Sequence, residues 1–185
     1  MPAGPIWTIG HSTRSAEEFV ALLREHGITG LADVRTIPRS RRHPHFSREA
    51  LERQLSGDGI QYRHFPALGG LRKPRPDSPN GAWKNAAFRG YADHMQTVEF
   101  SAAIEELLEF AGRRSVAVMC AEAVWWRCHR MLVADALVAR DVEVQHILSQ
   151  RGQSTHQPHR LTPFARIDRP PISGAATRLW YPGLV

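Results

Sequence analysis

The sequence predicts an α/β fold: a single domain built on a mostly parallel five-stranded sheet with helices on both faces. Three observations predict it. Short apolar runs alternate with longer stretches of helical periodicity along nearly the whole chain, which is the pattern of successive βα units. Ser115 to Met119 is a continuous apolar run, as a strand covered on both faces is. A chain of 185 residues, 42% hydrophobic, is long enough for one domain with a real core and too short for two comfortable ones. The domain is expected over residues 1–167. An irregular extension is expected over 168–185, where the sequence after Asp168 loses periodicity.

The elements follow in order. Ile6 to Ile9 is a short apolar strand, and Ser15 with Glu18 is a capping-box pair for a helix that runs to about His26 and stops at Gly27. Leu31 to Ile37 is a second strand, ended by Pro38. Ser47 caps a helix through Leu55, Gly57 and Gly59 end it, and Ile60 to Phe65 is a third strand. ALGGLRKPRPDSPNGAWKN, Ala67 to Asn85, is rich in Gly, Pro and Arg and reads as a long loop. Loops of that length in a compact domain are usually lids or binding loops. Phe88 to Gln96 and Val98 to Ala111 are helices, the second with Phe100, Ile104, Leu107, Leu108 and Ala111 on one face. Ser115 to Met119 is a fourth strand, Trp126 to Ala139 a helix, and Val142 to Leu148 a fifth strand.

Composition narrows the function. No apolar run approaches the roughly 18 residues that cross a bilayer, and MPAGPIWTIGHS lacks the layout of a secretory signal, so a cytoplasmic protein away from membranes is expected. Two cysteines make no disulfide framework, and a reducing cytosol would keep them as thiols. The formal charge is +6 and the pI near 10.1, which favours a polyanionic partner, nucleotide or nucleic acid. Only Lys73 and Lys84 are lysines among 24 basic residues, and scattered arginines are most simply a solvated surface. One segment is concentrated: Arg35 to Arg48, RTIPRSRRHPHFSR, holds five arginines and two histidines with no acid. Guanidinium groups bind phosphate bidentately, so Arg35, Arg39, Arg41 and Arg42 are the candidate phosphate contacts.

In open parallel sheets ligands bind where the strands' carboxyl ends gather. Here those ends read Gly10-His11-Ser12, the arginine-rich segment, the long loop, Cys120 to Cys128, and His146 onward. MCAEAVWWRCHR, Met119 to Arg130, carries both cysteines. Cys120 is placed at a strand end for presentation to substrate. Cys128 is expected in the first turn of the next helix, where the dipole and Arg127, His129 and Arg130 favour thiolate; a pair of buried small hydrophobes is the plainer alternative. Glu122 suits a general acid or base, or an ordinary cap or salt bridge. On a helix His129 would point about 100° away from Cys128, leaving His11 as the supporting base. Trp125 and Trp126 suit packing, or stacking on a planar ligand at a pocket rim. Ser12 and Arg130 complete the candidate substrate contacts.

TIGHST at Thr8 to Thr13, ADVRTIPRSRRHPHF at Ala32 to Phe46, Leu68 to Gly70, CAEAVWWRCHR at Cys120 to Arg130 and HRLTPFAR at His159 to Arg166 together resemble the bacterial and archaeal family grouped as domain of unknown function 488. The resemblance covers roughly Ile6 to Ile167. It implies a shared set of candidate positions without implying a reaction.

Three readings remain. The first is an enzyme acting on a nucleotide or nucleic-acid base, with Cys120 or Cys128 as nucleophile, Glu122 as acid or base, His11 in support, and Arg35, Arg39 and Arg130 on phosphate. The second is a metal or redox site using Cys120, Cys128 and His129, whose ligand types suit zinc or iron, although the spacing is no zinc ribbon. The third is a non-catalytic nucleic-acid-binding module supported by charge alone. A phosphatase loop is excluded because Cys120 to Arg130 contains no glycine to free a backbone cradle. No Gly-x-Gly-x-x-Gly or Walker motif occurs. The sequence specifies no cofactor and no oligomeric state.

Overall fold

The structure is a computed structural model that describes residues 2, 4–150, 153–169 and 177–183. Its main sheet is six-stranded, one more than expected. Five strands run parallel: β1 (Ile6–Gly10), β2 (Gly30–Asp33), β3 (Gln61–His64), β4 (Val116–Cys120) and β5 (Val144–Gln150); β6 (Gln153–Pro158) is antiparallel to β5. The spatial order is β3-β2-β4-β1-β5-β6. β6, QSTHQP, was invisible to a search for apolar runs because it pairs at the sheet's edge through its backbone and carries polar side chains.

α1 (Ala16–Glu25) and α2 (Arg48–Ser56) cover one face, where Phe19, Leu23, Leu51 and Leu55 pack on Ile9, Leu31 and Met119. α3 (Ala86–His94), α4 (Val98–Ala111) and α5 (Arg130–Val138) cover the other, where Phe100, Ile104, Leu107 and Leu132 pack with Ala32, Val118 and Cys120. The two-residue period of a strand decides which residue of β4 faces which layer. Met119 points toward α1 and α2, and Cys120 toward α5.

Several expected boundaries move for local reasons. The second strand stops at Asp33, not Ile37, because the Asp33 carboxylate accepts a hydrogen bond from the Arg35 backbone N–H at 3.0 Å and turns the chain. The helix expected over Trp126 to Ala139 is two pieces, a 3-10 turn at Trp125–Arg127 and then α5. Cys128 between them is extended, with φ −125° and ψ 148°, so it precedes the helix. The tail is not wholly irregular: β7 (Arg166–Asp168) pairs antiparallel with β8 (Arg178–Trp180), and Tyr181 is fully buried. Residues 170–176 and 184–185 of that tail lie outside the described residues. Among the described residues no helix is long and apolar enough to cross a membrane.

The topology positions the site. β1 leads to α1 on one face, while its neighbour β4 leads to α5 on the other, so the loops after two adjacent strands part in opposite directions and leave a crevice between them. The register keeps the strand ends level, with Gly10 opposite Cys120 and Asp33 opposite Met119.

Candidate functional site

Gly10 lets the floor of the crevice close. A Cβ there would lie 1.8 Å from the Glu122 carbonyl oxygen and 2.9 Å from Arg130 Nη2, so only glycine admits the β4 loop and the Arg130 guanidinium against β1. The chain then continues the sheet beyond its last paired residues: His11 N–H donates to Cys120 O, and Ser12 N–H to Ala121 O, both at 2.9 Å.

The crevice holds about 330 Å³ and is walled by His11, Arg35, Arg39, Cys120, Glu122 and His129, together with Ile37 and Leu71 at its mouth. An adjoining cavity of about 170 Å³ shares Cys120, Glu122 and His129 and adds Cys128 and Tyr91. Six of the sequence-predicted residues, His129 among them as a candidate metal ligand, therefore line the crevice, and Cys128 lies just beyond it. Ser12, Arg41, Arg42 and Arg130 do not line either cavity.

The thiols and His129 converge on one point. His129 Nδ1 is 3.9 Å from Cys120 Sγ and 3.7 Å from Cys128 Sγ. Sequence reasoning set His129 aside as a base for Cys128 on the geometry of a regular helix and kept it as a metal ligand beside both cysteines; because Cys128 is extended, the two side chains reach the same place. His129 Nε2–H donates to the Val34 carbonyl at 3.0 Å, which leaves Nδ1 with its lone pair toward the sulfurs. Cys128 Sγ also accepts from the Arg130 backbone N–H at 3.5 Å, at the start of α5. The hydrogen bond from the Cys120 thiol, then His129 and Arg130, outweigh burial and lower the Cys128 pKa, while donating that bond and being buried raise that of Cys120.

His11 is 3% exposed and stacks on Phe46 at 4.3 Å between centroids. Its Nδ1–H donates to the Ser12 carbonyl, and burial lowers its pKa to about 4, helped by the Arg35 charge and opposed by the Ser12 bond. It is a neutral imidazole. Arg35 is already occupied: Asp33 accepts from its Nε and Nη2 at 2.9 and 2.6 Å, and the Phe46 carbonyl accepts from Nη1 at 2.8 Å. Its charge is thus offset within the wall, and Arg39, an exposed guanidinium, is the cation facing the crevice. Glu122 is exposed and its carboxylate makes no hydrogen bond or ion pair among the described residues.

Arg130 is 1% exposed and points inward. Nη2 donates to Glu122 O at 2.7 Å, and Nη1 to Thr8 Oγ1 at 3.4 Å. From Thr8 a buried row continues through His146 Nδ1 at 2.7 Å, His146 Nε2 to His159 Nδ1 at 3.0 Å, and His159 Nε2 to Asp135 Oδ1 at 2.8 Å. With both imidazoles neutral, one assignment satisfies every member. Asp135 accepts from His159, His159 from His146, His146 from the Thr8 hydroxyl, and Thr8 from Arg130. Trp125 does not reach the crevice; it stacks on His146 at 4.2 Å with the rings 6° apart. Sequence reasoning missed Asp33 as the partner of Arg35 and, although it placed His146 at a strand end and His159 in a motif, it did not join them to Asp135, because only the fold brings both histidines to α5. An acid inside an apolar run, as in LADVR, and a histidine inside VQHIL were the available signals.

Residues 15–137 match the family described as Domain of unknown function DUF488. That span includes the arginine-rich loop, Leu68 to Gly70 and the Cys120 to Arg130 segment, and it leaves out Thr8 to Thr13 and His159 to Arg166. No curated protein and no solved structure matches the chain. With more than half of its length in that match, the chain belongs to the DUF488 family.

Proposed function

We propose that this protein is an enzyme that acts on a nucleotide or nucleic-acid base in the crevice at the carboxyl ends of β1, β2 and β4. The observation that carries the reading is convergence: thiol, imidazole, carboxylate and guanidinium groups from three separate loops wall one cavity of about 330 Å³. That volume is near the lower bound for small-ligand pockets and suits a base or a nucleoside. Ile37 and Leu71, 62% and 84% exposed, stand at the mouth on different loops, where apolar side chains can hold a planar ring. Leu71 does so with φ 60°, a left-handed conformation that a leucine adopts only when its surroundings impose it. In this reading Arg39 contacts phosphate, Glu122 moves the proton, and the Cys120–Cys128–His129 group is the reacting centre. His11 and Arg35 form the wall.

The test is calorimetric binding of free bases, nucleosides and nucleoside monophosphates, followed by chromatography of the incubated ligands. Arg39→Ala is expected to weaken monophosphates about tenfold, or about 1.4 kcal/mol, and to leave free bases unchanged. Glu122→Gln is expected to retain binding and abolish turnover. Absence of binding by every member of the series at millimolar concentration would sink the reading. If the ligand is a strand, Arg41 and Arg42 extend the contact, and replacing them with Arg39 should flatten the salt dependence of binding.

A further inference from the structure

Two sulfurs and one nitrogen, from Cys120, Cys128 and His129, lie within 4.8 Å of one another. An ion held tetrahedrally with metal–sulfur bonds of about 2.3 Å and a metal–nitrogen bond of about 2.0 Å would separate its sulfur and nitrogen ligands by roughly 3.5 Å. The two separations here are 3.9 and 3.7 Å, so small side-chain movements bring all three atoms onto one ion. The supporting contact is in place as well. Metal-binding histidines typically donate their second ring N–H to a carbonyl or carboxylate, which fixes the ring; His129 Nε2–H donates to Val34 O at 3.0 Å.

We infer that Cys120, Cys128 and His129 bind one divalent ion of the zinc class and leave a fourth position open toward the crevice. Two thiolates and an imidazole are ligands that such an ion prefers over the oxygen sites of magnesium or calcium. Structural zinc sites close with four protein ligands, whereas catalytic ones keep three and an opening. Among the described residues no fourth ligand joins this group. Gly70 keeps the approach clear, since a Cβ at that position would sit 3.0 Å from His129 Nδ1. Glu122 lines both cavities, and a carboxylate there can accept a proton from a water in the open position. The ion needs no nucleotide, so this inference stands apart from the proposed substrate class.

The experiment uses the full chain purified without an affinity tag, with thiols kept reduced and no chelator. Elemental analysis is expected to find about one zinc per chain. Replacing it with Co²⁺ should give the intense visible bands of a four-coordinate site and near-ultraviolet thiolate-to-cobalt absorption. Removing the metal should convert two slow thiols into fast ones in a colorimetric titration, and adding Zn²⁺ should slow them again. His129→Ala should lower zinc affinity by at least the roughly 10–100-fold that loss of a supporting contact produces, while a control replacement at the exposed His156 should not. Because the variant can fail to fold, the wild-type cobalt spectrum decides alone. No thiolate-to-cobalt absorption, with both thiols fast in excess Zn²⁺, overturns the inference. Zinc bound with no nucleotide binding would leave this site standing and reject the substrate class; nucleotide binding without metal would do the reverse.

Discussion

At the scale of single residues, the site depends on positions with no chemistry of their own. Gly10 is the clearest. Gly10→Ala places a methyl inside van der Waals contact of both Glu122 O and Arg130 Nη2, and the expected outcome is a loss of about 1–3 kcal/mol of stability from overpacking, read as a lower urea midpoint. An unchanged midpoint would mean that the β4 loop moves aside freely. Asp135 is the second case. Fully buried, it accepts from His159, Tyr181 and the Thr162 N–H, so Asp135→Asn should destabilise the fold by about 1.5–3 kcal/mol, as weakening hydrogen bonds to a buried charged acceptor does. A loss under 1 kcal/mol would show that the row tolerates a neutral end. Cys120, Glu122, His11 and Arg39 were legible as candidates because each follows a strand-like run. Arg35 looked equally free in the sequence, and only the fold reveals Asp33 across from it. Local order along a chain shows which loop a charge belongs to, but not which buried group already holds it.

At the scale of elements, legibility followed the strength of the local signal. α4 was predicted residue for residue because its apolar face repeats over 14 residues and Thr97 caps it. α1 was legible from its first residues, since Ser15 and Glu18 make the reciprocal capping box. Ser15→Ala is expected to lower stability by about 1 kcal/mol, measured by thermal or urea unfolding; no change would mean that α1 is held by Phe19 and Leu23 alone. The start of α5 was not legible. WWRCHRMLVADALV has helical composition throughout, yet Cys128 adopts an extended backbone and throws its sulfur toward Cys120. A tertiary arrangement overrides local preference there, which is where a working site is expected to depart from the simplest fold. β6 was missed because it contributes backbone pairing and polar side chains, and β7 and β8 because strands of three residues are too short to show a period, although Leu179 of β8 is buried.

At the scale of the whole molecule, two buried neutral histidines make stability depend on pH. Burial lowers the pKa of His11 to about 4 and, helped by His159 and Arg130, that of His146 to about 3. In the unfolded chain both bind protons near pH 6.5. Below that value the unfolded state therefore takes up more protons than the folded one, so the stability they contribute is fully present above about pH 6.5 and falls as pH drops toward 4 and 3. Urea midpoints should decline between pH 7 and pH 4.5, before most carboxylates titrate. A flat profile over that window would show that the histidines remain accessible to protons in the fold. The same row has a mechanical consequence. It leaves α5 at Arg130, crosses β1 and β5, and rejoins α5 at Asp135, so the helix is bolted to the sheet at two points along its length. Such a beam can neither creep by a residue nor roll without releasing both bolts together. Cys128 and His129, immediately ahead of its first turn, inherit that fixed footing, while Ile37, Arg39 and Leu71 are exposed side chains on loops joined by a hydrogen bond from the Thr36 hydroxyl to Gly70 O at 3.0 Å. The floor of the crevice is built to stay put, and whatever adjustment a ligand demands falls to its mouth.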